Sequence, residues 1–160
     1  MKILIAYATR YGTTEKCAVI LGDLLREKQH DVNILDLKKN KNINLSDYEI
    51  VIVGGSFIMF RLNSLVKKFV NSNIKSLLKM KTGVFMCGAD DNWKEEIKKG
   101  FPEELLKSAF SQGYFGFEML WDKMSPFFRG MLQKTYKTTE PVLKINKENI
   151  EKFAEEILKA

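Results

Sequence analysis

The chain has 160 residues, 45% of them hydrophobic and 29% charged, and its 26 Lys+Arg against 20 Asp+Glu give a formal net charge of +6. That length suits one domain over residues 1–160; no linker, repeat or low-complexity tract divides it, and no run approaches the ~20 apolar residues that cross a bilayer. One histidine, His30, and two cysteines, Cys17 and Cys87, with no CxxC spacing supply no metal-ligand set and read as a surface imidazole and two reduced, buried thiols.

Residues 2–7 form a continuous apolar run, which predicts a central parallel strand covered on both faces. A hydroxyl-rich loop, 9–14, leads into a helix over 13–28 with Cys17, Ile20, Leu21, Leu24 and Leu25 at helical spacing. Residues 31–37 alternate Val32, Ile34 and Leu37 as a less buried strand, and 49–54 predicts another fully buried one. Helical spacing resumes from Ser64 through Leu65, Phe69, Ile74, Leu77 and Leu78, and 82–87 predicts a fourth strand. Pro102 starts a helix through Phe110, 112–120 predicts a fifth strand, and Asn146 caps a closing helix over 147–158. Strands alternating with helices predict an α/β fold of three layers, a five-stranded parallel sheet with helices on both faces. The opening run followed by Ala6-Tyr7-Ala8 mimics a signal peptide but is too short for one, so a cytoplasmic protein is expected.

In such sheets ligands bind beyond the carboxyl ends of the strands, where the strand order switches. Three strand ends are rich in glycine and polar residues: 9–14, 54–61 and 87–93. The first sets hydroxyls and backbone N–H groups ahead of a helix, whose positive dipole end suits a phosphate. It is not a Walker loop, because no Gly-Lys-Ser/Thr follows at the required spacing. A plain strand–helix turn capped by Thr has the same composition.

This stretch resembles the signature of the flavodoxin family. Tyr7, Ala8 and Thr9 match its aromatic, free and hydroxyl positions, and Gly12, Thr14, Ala18 and Leu21 match the small residue, Thr, Ala and aliphatic that follow. Ala6 departs from the larger apolar residue the family prefers. The resemblance implies a flavodoxin-like fold with FMN as cofactor, its phosphate held by Thr9, Arg10, Tyr11, Gly12, Thr13 and Thr14. Arg10 either turns inward to pair with the phosphate or stays a solvated loop cation. Gly55, Ser56, Phe57, Ile58, Met59 and Phe60 would form the second loop, an apolar wall for the isoalloxazine, with two of the four apolar side chains entering the core. No glycine lies between Ser56 and Arg61, so the peptide flip that steadies one-electron-reduced flavin in many flavodoxins is not provided for. In the third loop, Cys87, Gly88, Ala89 and Asp90 would meet the pyrimidine edge, and Trp93 either stacks on the flavin or merely starts a helix. Asp90 and Asp91 read as caps. No side chain reads as a general base, so no catalytic residue is expected, and neither a metal nor a nucleic acid.

The stretch 119–139 is the least flavodoxin-like. Ser125-Pro126 reads as the cap and first residue of a short helix. Leu120, Trp121, Met124, Phe127, Phe128, Met131 and Leu132 recur at helical spacing, while Lys123, Arg129, Lys134 and Lys137 face only Asp122. A basic amphipathic stretch of this kind lies on a membrane surface, binds a hydrophobic partner, or packs on the core behind a solvated face. It also resembles the corresponding part of the menaquinone-dependent protoporphyrinogen dehydrogenase family, through Trp121-Asp122-Lys123, 127–132 and Thr138-Thr139. That family's basic insertion after the fourth strand is missing, and Phe57, Met59 and Phe60 replace polar residues of its second loop. The leading expectation is an FMN-dependent oxidoreductase of that branch, passing electrons to a quinone-like acceptor, with peripheral membrane contact through residues 121–137. The alternative is a soluble electron carrier that docks on redox partner proteins. Positive surroundings would raise the flavin potential relative to an acidic flavodoxin. A flavin-free receiver domain on the same fold would want an aspartate where this chain has Gly54-Gly55.

Overall fold

The computed structural model describes residues 1–40 and 42–160. Five parallel strands make the main sheet in the spatial order β2–β1–β3–β5–β6. They are β1 (Lys2–Ala8), β2 (Asp31–Asp36), β3 (Ile50–Ile58), β5 (Lys81–Cys87) and β6 (Ser111–Tyr114). A two-residue strand, β4 (Arg61–Leu62), folds back antiparallel on the end of β3. The register sets Ile5 beside Ile34 on one side and Ile52 on the other.

Alternation along β1 explains both layers. Ile3, Ile5 and Tyr7 point to one face, where they pack with Cys17, Leu21 and Leu25 of α1 (Thr13–Glu27) and Ile150, Phe153 and Ile157 of α6 (Lys147–Leu158). Leu4, Ala6 and Ala8 point to the other face. There they meet Val66, Phe69 and Val70 of α2 (Ser64–Leu77), Ile97 of α3 (Trp93–Gly100) and Leu105 of α4 (Glu103–Ser108). Each fully buried aliphatic side chain contributes about 1.5–3 kcal/mol of burial free energy. A strand covered on both sides has no polar face to show, which is why residues 2–7 read as an unbroken apolar run.

Two features of the chain differ from the sequence reading. The third strand does not stop at Gly54 but runs on to Ile58, so Gly55, Ser56, Phe57 and Ile58 are strand, and only Met59 and Phe60 form the turn into β4. Residues 112–120 are not one strand. Tyr114 ends β6, Phe115 is fully buried, and a new strand, β7 (Gly116–Met119), leaves the sheet to pair antiparallel with β8 (Val142–Ile145). Gly116 makes the break. Its φ of +80° lies in the left-handed region, and a Cβ there would sit 1.9 Å from the Lys144 carbonyl oxygen. Between β7 and β8 run a short 3₁₀ turn (Trp121–Lys123) and α5 (Pro126–Tyr136), capped as expected by the Ser125 hydroxyl, which accepts from the Phe128 N–H.

Candidate functional site

The carboxyl ends of β1, β3 and β5 lie side by side where the strand order reverses, and all three border one cavity of about 280 Å³. After β1 the chain turns at Thr9, whose Oγ1 accepts from the Gly12 N–H at 2.9 Å. Gly12, with φ +96°, opens α1, and no side chain caps the helix. The first-turn N–H groups are therefore left to an anion or to water. Thr13 donates its hydroxyl to the Glu118 carbonyl at 3.5 Å. Thr14 is fully buried and its hydroxyl has no hydrogen-bond partner. A buried hydroxyl without a partner on the first turn of an uncapped helix fits a phosphate. Arg10 is an exposed loop cation without an ion pair among the described residues. Its guanidinium stacks 5.4 Å from the Tyr11 ring and 5.2 Å from the Phe128 ring, which ties the loop to α5.

The end of β3 supplies a second wall. Gly55 and Ser56 are buried, and Asn63 donates its N–H to the Ser56 carbonyl at 2.9 Å. Of the four apolar residues only Phe57 enters the core, against Phe101; Ile58 is half-buried and the other two stay out. Met59 and Phe60 have φ of 50° and 63° and are 63% and 68% exposed. Lys99 lies 5.7 Å from the Phe60 ring and 2.5 Å from the buried Glu96 carboxylate. The other Glu96 oxygen has no partner, and Glu96 also borders the cavity.

At the end of β5 the Gly88 N–H donates to the Gly116 carbonyl at 3.0 Å, which fastens the third loop to β7. Cys87 is buried, and burial followed by the neighbouring Cys17 pushes its thiol up. Asp90 acts as a local cap, its carboxylate accepting from the Asn92 N–H at 2.8 Å. Trp93 starts α3, lies stacked on Tyr114 with ring centroids 6.1 Å apart, and does not border the cavity.

The fourth wall was not legible as such. Phe117, Glu118 and Met119 of β7, then Met124, Phe128, Met131, Leu132, Thr135 and Tyr136, face the three strand ends across the cavity. None of the α5 residues is buried in the core. Instead α5 reaches from the first loop, where Phe128 stands 6.5 Å from Tyr11, to the third, where Asp90 and Asp91 face Tyr136. Burial, followed by those carboxylates, raises the Tyr136 phenol above its ordinary value. The amphipathic pattern of 119–139 was the signal for this wall, but it did not say which surface its apolar side would cover. Among the described residues no group of His, Cys, Asp and Glu could hold a metal, and no helix is long and apolar enough to cross a membrane.

The profile of a family described as Flavodoxin domain matches residues 4–142. Among solved structures, flavodoxin 1 from Bacillus cereus superposes with a TM-score of 0.64 at 17% identity, covering 99% of this chain and 98% of that one. Flavodoxin from Megasphaera elsdenii gives 0.64 at 15% identity, with 99% of each chain covered. Rubredoxin oxygen:oxidoreductase from Desulfovibrio gigas gives 0.60 at 17% identity; 99% of this chain is covered, and it spans 37% of that protein's length. At such identities the likeness is one of fold. No curated protein matches the sequence at a significant level.

Proposed function

Because the chain belongs to the flavodoxin domain family, which implies FMN as its cofactor, we propose that it works as a one-domain FMN oxidoreductase that passes electrons to a quinone-like acceptor, in the manner of the protoporphyrinogen dehydrogenase branch. The observation behind this reading is the fourth wall. A carrier needs only an exposed ring edge, whereas β7 and α5 raise methionine, phenylalanine and tyrosine side chains opposite the three strand ends. An apolar cleft walled in this way suits a flat organic molecule.

FMN, when bound, supplies reversible uptake of one or two electrons. In this reading Thr9, Tyr11, Gly12, Thr13 and Thr14 hold its phosphate through hydroxyls and first-turn N–H groups, and Arg10 braces the loop through its two aromatic neighbours. Gly55, Ser56, Phe57 and Ile58 with the Met59–Phe60 turn flank the ring. Cys87, Gly88, Ala89 and Asp90 line its polar edge. Trp93 takes no part. The protonated Tyr136 phenol is a hydrogen-bond donor at the wall. Phe127, 78% exposed on α5 beside Arg129, Lys134 and Lys137, would rest on an anionic membrane from which a lipophilic acceptor is drawn.

The second reading is a soluble electron carrier. Met59 and Phe60, largely exposed at the cavity edge, favour it as an apolar contact for a redox partner protein. Redox titration of the flavin-loaded protein separates the two. Closely spaced potentials with turnover of a soluble quinone support the oxidoreductase; a well-separated low second potential with no quinone turnover supports the carrier. The flavin assignment is tested by the Thr9→Val/Thr14→Val double variant, which should weaken FMN about 100-fold, the loss of two hydrogen bonds to a charged group, while thermal unfolding of the apoprotein changes little. Equal FMN affinity in the double variant removes the phosphate loop from the site.

A further inference from the structure

We propose that Lys123, outside the three strand-end loops, is a phosphate-binding residue of this site; the inference rests on the FMN reading above and adds a charge from a separate part of the chain. The Lys123 Nζ stands 3.6 Å from the position a Gly12 Cβ would occupy, directly at the turn into α1. Among the described residues no carboxylate lies within 4 Å of it.

The placement is held by packing rather than by a loose loop. Trp121 is buried and donates its Nε1–H to the Glu140 carbonyl at 2.7 Å. Met119, Trp121 and Met124 form a small core of their own, against which Tyr11 of the phosphate loop packs. The Lys123 N–H donates to the Leu120 carbonyl, which closes the 3₁₀ turn. A second observation points independently to a ligand here. The first turn of α1 has no side-chain cap, and the buried Thr14 hydroxyl beside it meets only the Cys87 thiol and makes no close hydrogen bond, so the spot offers neutral donors to an anion. A phosphate held there carries close to two negative charges, and neutral amides and hydroxyls leave that charge uncompensated. An ammonium on a four-carbon stem is a compact point charge able to settle against it. The consequence is discrimination, since a flavin with a phosphate gains the lysine and a flavin without one does not.

The test is titration of the apoproteins of wild type, K123M and K123R with FMN and with riboflavin, followed by flavin fluorescence at low and at high KCl. K123M should weaken FMN about tenfold, in keeping with one charge-assisted contact at an exposed position, and leave riboflavin within about twofold. Its FMN affinity should also depend less on salt than that of the wild type, and K123R should retain most of the preference. An FMN-to-riboflavin ratio in K123M equal to the wild-type ratio overturns the role of Lys123 and leaves the FMN reading standing. Loss of both flavins together in K123M marks a structural role and also overturns it. A wild type that binds FMN no better than riboflavin, or neither, removes the phosphate site itself.

Discussion

Met59 and Phe60 sit back to back in left-handed backbone, with Ile58 paired to Arg61 across them. Two consecutive positive φ angles in a two-residue hairpin loop define the turn that Asn-Gly fills at least cost. A methionine and a phenylalanine there carry strain of order 1 kcal/mol each. The double substitution Met59→Asn/Phe60→Gly should therefore raise stability by about 1–2 kcal/mol in chemical denaturation. It should at the same time weaken whatever binding uses the exposed side chains. A double variant less stable than wild type would show that the Phe60 ring, through Lys99, contributes more than the turn costs. Trp93 teaches the complementary lesson about reading residues. An aromatic at a helix start has the same sequence signature whether it stacks on a ligand or, as here, on Tyr114; the choice is made by β6, which lies remote in sequence.

β1, β3 and β5 could be located because each is buried on both faces, which leaves a contiguous apolar signature, whereas β2 showed as an alternation. The break after β6 could not be located that way. Tyr114, Phe115, Gly116 and Phe117 continue an aromatic run through it, and the interruption lies in backbone conformation at one glycine. β8 was invisible for a different reason: Leu143 is 64% exposed and Val142 and Ile145 are only half-buried, so no periodicity marks it. Of the site, the three strand ends were legible from their glycines and hydroxyls. The fourth wall was only half legible, as an amphipathic stretch without a destination, and Lys123 counted merely as one charge on its polar side. The splice at Gly116 gives this scale its own test. Gly116→Ala places a methyl group in the Lys144 carbonyl and forces alanine into left-handed backbone. It should cost about 3 kcal/mol in equilibrium denaturation. Because Gly88 donates to the Gly116 carbonyl, ligand binding should weaken as well. A change below about 1 kcal/mol would show that β7 and β8 shift without resistance.

At the scale of the whole molecule, the acids that burial shifts most all move in one direction. Desolvation is the first cause at each: it raises Tyr7 and Tyr136, pushes Tyr114 up to about 12, and raises Cys87 well above 9.0. The folded protein thus holds protons that the unfolded chain releases near pH 9 for a thiol and pH 10 for a phenol. The stability linked to them is complete below those values and is lost as pH rises through the higher folded values. Denaturation midpoints should be flat from neutrality to about pH 9, then fall toward pH 12, with a shallower fall in Tyr114→Phe. An identical slope in that variant would show that Tyr114 ionises at its ordinary value.

The helix α5 contributes no residue to the core and is anchored through its neighbours: Trp121 before it, β8 behind it, and the Arg10–Phe128 stack at one end. Selection for stability therefore acts weakly on its side chains, even though they form one wall of the cavity. Such a segment is free to drift. A lineage could replace Met131 or Tyr136, and so reshape the cavity, while the five-stranded sheet and its three strand-end loops stayed as they are. The protein is in this sense divided into a fixed half, the sheet with its strand-end loops, and an adjustable half on the far side of the cavity.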